Sequence, residues 1–131
     1  MITNIEYLKT MASKYSVAAF NIVGNCMTGV NINNGDYVVV DFTRAPAPKD
    51  IVIAGRAMRS ERQVYFMTKE YVKQKGDKHI VTTRPASGDD EELTVEYIFG
   101  VVIACTDSKG NVKWGEDKFK GVSIDLQRKA V

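Results

Sequence analysis

From Ser16 onward the chain alternates short β-branched and aromatic runs with Gly, Asn, Asp and Pro, and only the stretch before it has helical spacing. There Ile5, Leu8, Met11 and Ala12 recur at three- and four-residue steps behind Thr3-x-x-Glu6. Thr3 as N-cap with Glu6 reaching back makes a capping box, which predicts an amphipathic helix over 4–14. Strands are predicted near 17–23, 37–42, 50–55, 62–69, 78–83 and 93–105, where apolar runs are bounded by turn residues. The turns have local causes. Asn33-Asn34-Gly35-Asp36 tolerates positive φ, Pro46 and Pro48 fix an extended connection, and Ser87-Gly88-Asp89-Asp90 with Glu91 and Glu92 reads as a solvated loop. Strands this short and this evenly spaced predict a mainly β fold, a small curled sheet or partial barrel with a short N-terminal helix, rather than βαβ units.

Composition narrows the class. The 131 residues are 44% hydrophobic and 26% charged, the balance of one domain over 1–131, with a helix or arm at 1–16, a β core at 17–105 and a tail at 106–131. Eighteen Lys+Arg against sixteen Asp+Glu leave a net charge of +2, which argues against nucleic acid or a membrane surface as partner. The longest apolar stretches, Val38-Val39-Val40 and Phe99 to Cys105, fall far short of the roughly 20 residues that span a bilayer. The start lacks the basic and apolar regions of a secretory leader, and two cysteines with no CxxC spacing suit a reducing cytoplasm. No metal or other cofactor is expected. In the tail, Trp114, Phe119, Val122, Ile124 and Leu126 either pack back on the domain or form a partner-binding arm anchored by Trp114. Lys118, Phe119, Lys120, Arg128 and Lys129 imitate a nucleic-acid patch, but Glu116, Asp117 and Asp125 interrupt it.

The informative segment runs from Ile22 to Asp41, Ile-Val-Gly-Asn-Cys-Met-Thr-Gly-Val-Asn-Ile-Asn-Asn-Gly-Asp-Tyr-Val-Val-Val-Asp. It reads as a strand, a tight turn carrying a nucleophile, a Gly-Asp turn and a second strand. Gly24 permits close backbone approach, so the turn can aim Cys26 out of the sheet with backbone N–H groups nearby to hold an oxyanion. Met27 fills the core, Gly35 takes the turn conformation, and Asp36 bonds the turn's own backbone. Cys105, at the end of an apolar run, reads as core, and the single histidine, His79, as a strand or surface residue.

This segment resembles the nucleophile region of the LexA/UmuD-type self-cleaving serine peptidases. There the order is Gly, a polar residue, the Ser nucleophile, Met, an aliphatic, Gly-Asp and an apolar strand ending in Asp. Gly24, Asn25, Met27, Ile32, Gly35, Asp36 and Asp41 take those places, and Cys26 falls on the serine. Lys49 to Ala54 is similar to the family's next strand and Phe99 to Ile103 to its closing strand, so the likeness covers roughly 17–105. The resemblance implies a serine–lysine dyad in which a buried neutral amine removes the hydroxyl proton. With Val64 and Phe66 on the core face, Met67 aligns with the lysine, and a thioether takes no proton. Lys69 lies on the same face about 6–7 Å along the strand, and serves as alternative base only if a bulge shifts the register.

The family cleaves itself at a small residue followed by Gly, in an arm upstream of the nucleophile. No Gly precedes Gly24 here, Ala54-Gly55 lies on a predicted interior strand, and the sixteen or so residues before the first strand are too few for a helix-turn-helix domain. The expectation is therefore a LexA/UmuD-like domain with a degenerate dyad. It would act as a homodimerising or peptide-binding regulatory module in a repressor, phage or damage-response (SOS) system. The alternative is an active peptidase acting on another protein, with Cys26 as nucleophile and Lys69 as base; a thiol has some thiolate at neutral pH, so it depends less on a strong base than serine does.

Overall fold

The computed structural model of the chain describes residues 2–59 and 62–116. It begins with a short strand β1 (Ile2–Asn4) and one helix α1 (Ile5–Lys14). The helix forms where the apolar spacing predicts it, but its cap is Asn4, whose Oδ1 accepts a hydrogen bond from the Glu6 N–H at 2.8 Å. Thr3 instead belongs to β1, opposite Val64. Ile5, Leu8 and Met11 bury the apolar stripe, and the Tyr15 N–H closes the last turn on the Met11 carbonyl at 2.9 Å.

The remaining strands are β2 (Val17–Asn21), β3 (Tyr37–Asp41), β4 (Ile51–Ala57), β5 (Gln63–Lys75), β6 (Lys78–Thr82), β7 (Glu92–Val95), β8 (Tyr97–Thr106) and β9 (Val112–Gly115). All pairings are antiparallel, in the spatial order β2-β3-β8-β4-β5-β6-β7, with β1 added to β5 and β9 to β8. The order does not return on itself, so the sheet is curled and open. Its curl has local causes: the pairing register shifts at Val39/Val40, Ile53/Ala54, Tyr71/Lys73 and Cys105/Thr106, and such irregularities bend strands and add twist.

Both faces of the sheet are covered along its centre. Ile53 joins the larger core with Leu8, Phe20, Val38, Val40 and Phe66, while Val52 and Ala54 turn to a second cluster with Tyr71, Val81, Val95 and Val101. That is the period-2 alternation of one strand feeding two cores. Ala54-Gly55 lies inside this strand, and a Cβ at Gly55 would stand 2.5 Å from the Phe99 ring. Trp114, in β9, packs against the larger core. Phe119, Val122, Ile124 and Leu126, and the basic residues Lys118, Lys120, Arg128 and Lys129, lie outside the described residues. Among the described residues no helix is long and apolar enough to cross a membrane.

Two boundaries differ from the sequence expectation. The strand predicted to stop at 69 continues to Lys75, because Tyr71 is buried and Gly76-Asp77 closes a hairpin onto β6 with Gly76 at φ 62°. The run predicted at 93–105 is two strands parted at Glu96, whose carboxylate leaves the ladder to accept the Ala57 N–H at 2.7 Å.

Candidate active site

The turn between β2 and β3 is pinned from both sides. Past β2 the backbone stays paired, Ile22 N–H to the Asp36 carbonyl at 2.8 Å and Gly35 N–H to the Ile22 carbonyl at 2.9 Å, and the Gly24 N–H donates to Asn34 Oδ1 at 2.9 Å. Gly24 and Gly35 stand at φ 103° and 91°, a region that side chains rarely adopt. At Gly24 the positive φ is the requirement: a Cβ there meets nothing within 4 Å, so the close approach expected of it is absent. Met27 is buried, as is Ile32, and the Met27 carbonyl receives the N–H groups of Val30 and Ile32 at 3.1 and 3.2 Å. With Met27 rooted in the core, the residue before it is left at the mouth of the turn, where Cys26 is half-buried. Asn25 is exposed, and its carbonyl accepts the Thr28 hydroxyl at 3.3 Å.

Asp36 closes the turn through its Oδ2, which accepts the Asn33 N–H at 2.9 Å. The same oxygen is 2.6 Å from Lys113 Nζ in β9, a long-range tie that the local pattern does not reveal. Cys105 lies against this pair, with Sγ 3.8 Å from Asp36 Oδ2. Burial first, and then the Asp36 carboxylate, push its thiol up to about 12, against a smaller opposing pull from Lys113. Cys105 is therefore a protonated core thiol.

Cys26 meets β5. Its Sγ is 3.0 Å from Lys69 Nζ and 4.0 Å from the Thr68 carbonyl oxygen. Lys69 is only 7% exposed, and among the described residues no carboxylate pairs with its Nζ. The placement of Met67 beside the nucleophile is thus corrected: Met67 packs with the second core cluster and lines the cleft, and it is Lys69 whose side chain reaches the sulfur. No bulge is involved, since β4 and β5 pair in unbroken register from Ile51↔Glu70 to Ala57↔Val64. The turn docks two residues further along β5 than alignment on Val64 and Phe66 predicts. What carries it there is a contact with residues 84–86: the Arg84 N–H donates to the Cys26 carbonyl at 2.9 Å, and the Gly29 N–H to the Arg84 carbonyl at 2.6 Å. Sequence reasoning passed over Arg84; only the Pro after it, which ends a ladder, marks the place.

A cleft of about 300 Å³ opens over the pair, walled by Phe20, Ile22 and Val23 on one side and Tyr65, Phe66 and Met67 on the other. Its floor is a strand edge. On the side away from β4, β5 pairs with β1 up to Tyr65 and with β6 from Glu70, and residues 67–69 between them have no strand partner there among the described residues. His79 takes no part, as its Nδ1 is 2.9 Å from the Tyr71 hydroxyl in the second core. Among the described residues no group of three or more His, Cys, Asp or Glu side chains could hold a metal ion.

A thiol beside a buried lysine, under a cleft that runs over residues 67–69 of β5, is an arrangement in which an amine can take a thiol proton and free the sulfur for attack. A family described as Peptidase S24-like matches the chain over residues 2–103. No curated protein matches it.

Proposed function

The chain belongs to the Peptidase S24-like family, and on that footing we propose that the cleft is a cysteine–lysine peptidase site that takes an extended peptide segment. The observation that carries this is the 3.0 Å approach of Lys69 Nζ to Cys26 Sγ. It puts an amine in reach of the sulfur to act as the base. The pair shares one transferable proton. When the Cys26 proton passes to Lys69, the sulfur pair attacks the scissile carbonyl carbon and a C–S bond forms. As the tetrahedral intermediate collapses, the C–N bond breaks and the leaving nitrogen takes the proton back from Lys69. Water then hydrolyses the thioester, giving one proton through Lys69 to the sulfur and releasing the acid.

The developing oxyanion would be held by N–H groups of the turn around Cys26. The Gly24 N–H is already committed to Asn34. The substrate strand has a track to follow, since β1 lies antiparallel along β5 with Ile2 opposite Tyr65. A segment continuing that line would hydrogen-bond along residues 67–69 and carry its backbone past Lys69 and Cys26. A reducing cytoplasm is the setting that keeps Cys26 a thiol.

The test is a version of the chain with an N-terminal extension containing Ala-Gly, followed by intact mass. We expect cleavage at the extension, abolished in Cys26→Ala and slowed about 10²- to 10⁴-fold in Lys69→Met. In the native protein, Lys69→Met should also slow iodoacetamide alkylation of Cys26 by roughly tenfold. An uncut extension together with an unchanged alkylation rate would overturn the proposal.

A second reading keeps the cleft and omits the cut: the domain holds an extended segment, or a second copy, as a regulatory module in a repressor, phage or damage-response system. The apolar walls and the cysteine in place of serine favour it. An intact extension that protects Cys26 from alkylation is the result it requires.

A further inference from the structure

Arg84 lies just beyond β6 and touches both partners of the dyad's framework. Its peptide group belongs to the nucleophile turn, N–H on the Cys26 carbonyl at 2.9 Å and carbonyl on the Gly29 N–H at 2.6 Å. This approach needs a glycine, because a Cβ at Gly29 would stand 2.6 Å from the Arg84 oxygen. The next turn of chain adds a third tie, Ala86 N–H to Thr28 Oγ1 at 2.9 Å. The Arg84 side chain goes the other way. Its Nε is 2.8 Å and its Nη2 2.5 Å from Oε2 of Glu70, and Nη1 reaches Asp90. Glu70 is buried, and it directly follows Lys69 in β5. One residue thus holds the cysteine turn by its backbone and the lysine strand by its guanidinium.

We propose that Arg84 is a positioning residue, which fixes the Cys26 turn against β5 by its backbone and holds the stretch of β5 that carries Lys69 by pairing with Glu70. The proposal rests on the peptidase reading of the Cys26–Lys69 pair. Two physical points support it. The guanidinium is permanently charged and planar, so it can neutralise a buried carboxylate in a fixed orientation that a lysine cannot reproduce. A buried carboxylate stripped of that partner must reach water or another cation, which shifts the strand that also carries Lys69, and a shift of about 1 Å in a reacting pair is costly to catalysis. The ion pair is also where the β5–β6 ladder begins, Glu70 standing opposite Thr82, so Arg84 clamps the point from which both strands leave.

The experiment compares Cys26 alkylation rates in native Arg84→Gln, Arg84→Lys, Glu70→Gln/Arg84→Gln and Lys69→Met/Arg84→Gln proteins, with circular dichroism as the check on folding. Arg84→Gln should slow alkylation on the order of threefold to tenfold, Arg84→Lys less. In the Lys69→Met background the same change should have no further effect, since the lysine through which it acts is gone. Removing the Glu70 charge as well should restore part of the rate. A folded Arg84→Gln protein that alkylates at the wild-type rate overturns the proposal. So does one that loses the same factor with or without Lys69, which would mark Arg84 as a general structural tie. Should Arg84→Gln fail to fold, Arg84→Lys and the double variant lacking both charges decide the matter by the same comparison. A Lys69→Met protein that alkylates normally defeats the peptidase reading itself, so the two failures are distinguishable.

Discussion

Cys26 and Cys105 carry one side chain into opposite surroundings. Cys26 sits at a cleft mouth against the Lys69 side-chain nitrogen, and Cys105 sits fully buried beside a carboxylate. The second environment links stability to pH. In the unfolded chain a thiol titrates near ~8.5, and in the folded protein Cys105 is held to about 12. Between these values the unfolded state has lost a proton that the folded state keeps, so the unfolded side gains and stability falls as pH rises. The contribution is fully present below the unfolded value and is gone above the folded one. Urea unfolding in reducing buffer should therefore show stability declining by at most about 1.4 kcal/mol per pH unit from this group. Tyrosines and lysines titrate in the same window, so the slope is read as the difference between the wild-type protein and Cys105→Ala. Equal slopes in the two proteins would refute the assignment.

At the scale of elements, α1 separates what local pattern determines from what pairing determines. The apolar spacing of Ile5, Leu8 and Met11 is intrinsic to the helix, and the sequence shows it directly. The cap is not, because Thr3 and Asn4 are both acceptable N-caps until Thr3 pairs with Val64 in β1. Asn4→Ala should cost about 1 kcal/mol in chemical denaturation and Thr3→Ala much less, the reverse of what a Thr3–Glu6 capping box requires. The same division governs the site. Cys26, Met27, Gly35 and Asp36 were legible because their roles depend on a turn spanning fifteen residues or so. Which residue of β5 faces Cys26 was not. Met67 and Lys69 share a face by alternation, and the choice between them is made by Arg84, whose contact with Cys26 crosses 58 positions of chain (84 minus 26). Lys69 also stands last in the strand predicted over 62–69, whereas β5 runs on through Tyr71 to Lys75 and makes it an interior position. β9 and the tie from Lys113 to Asp36 were missed for the same reason, since four residues of mixed character become a strand only beside β8.

Over the described residues the molecule is a curled sheet with a gap in one edge, and the gap is where Cys26 meets Lys69. β3, β8 and β4 are each paired on both sides and carry much of both cores, so their amides should exchange with solvent only through global opening. β5 has the same rank on its β4 side, but its other side changes partner from β1 to β6, and among the described residues none pairs with 67–69 between them. Amides of residues 67–69 that point into the cleft should then exchange fast although the strand itself is held by the centre of the sheet. Hydrogen exchange resolved by residue should show protection dropping there and recovering on either side, in the segments that pair with β1 and β6. Uniform protection along β5 would mean that the edge is covered in solution, and would remove the track that a substrate strand needs. If the dip is present, an extended peptide laid along it should abolish it without changing exchange in β3 or β8, because adding a strand to an edge leaves the centre of the sheet as it was.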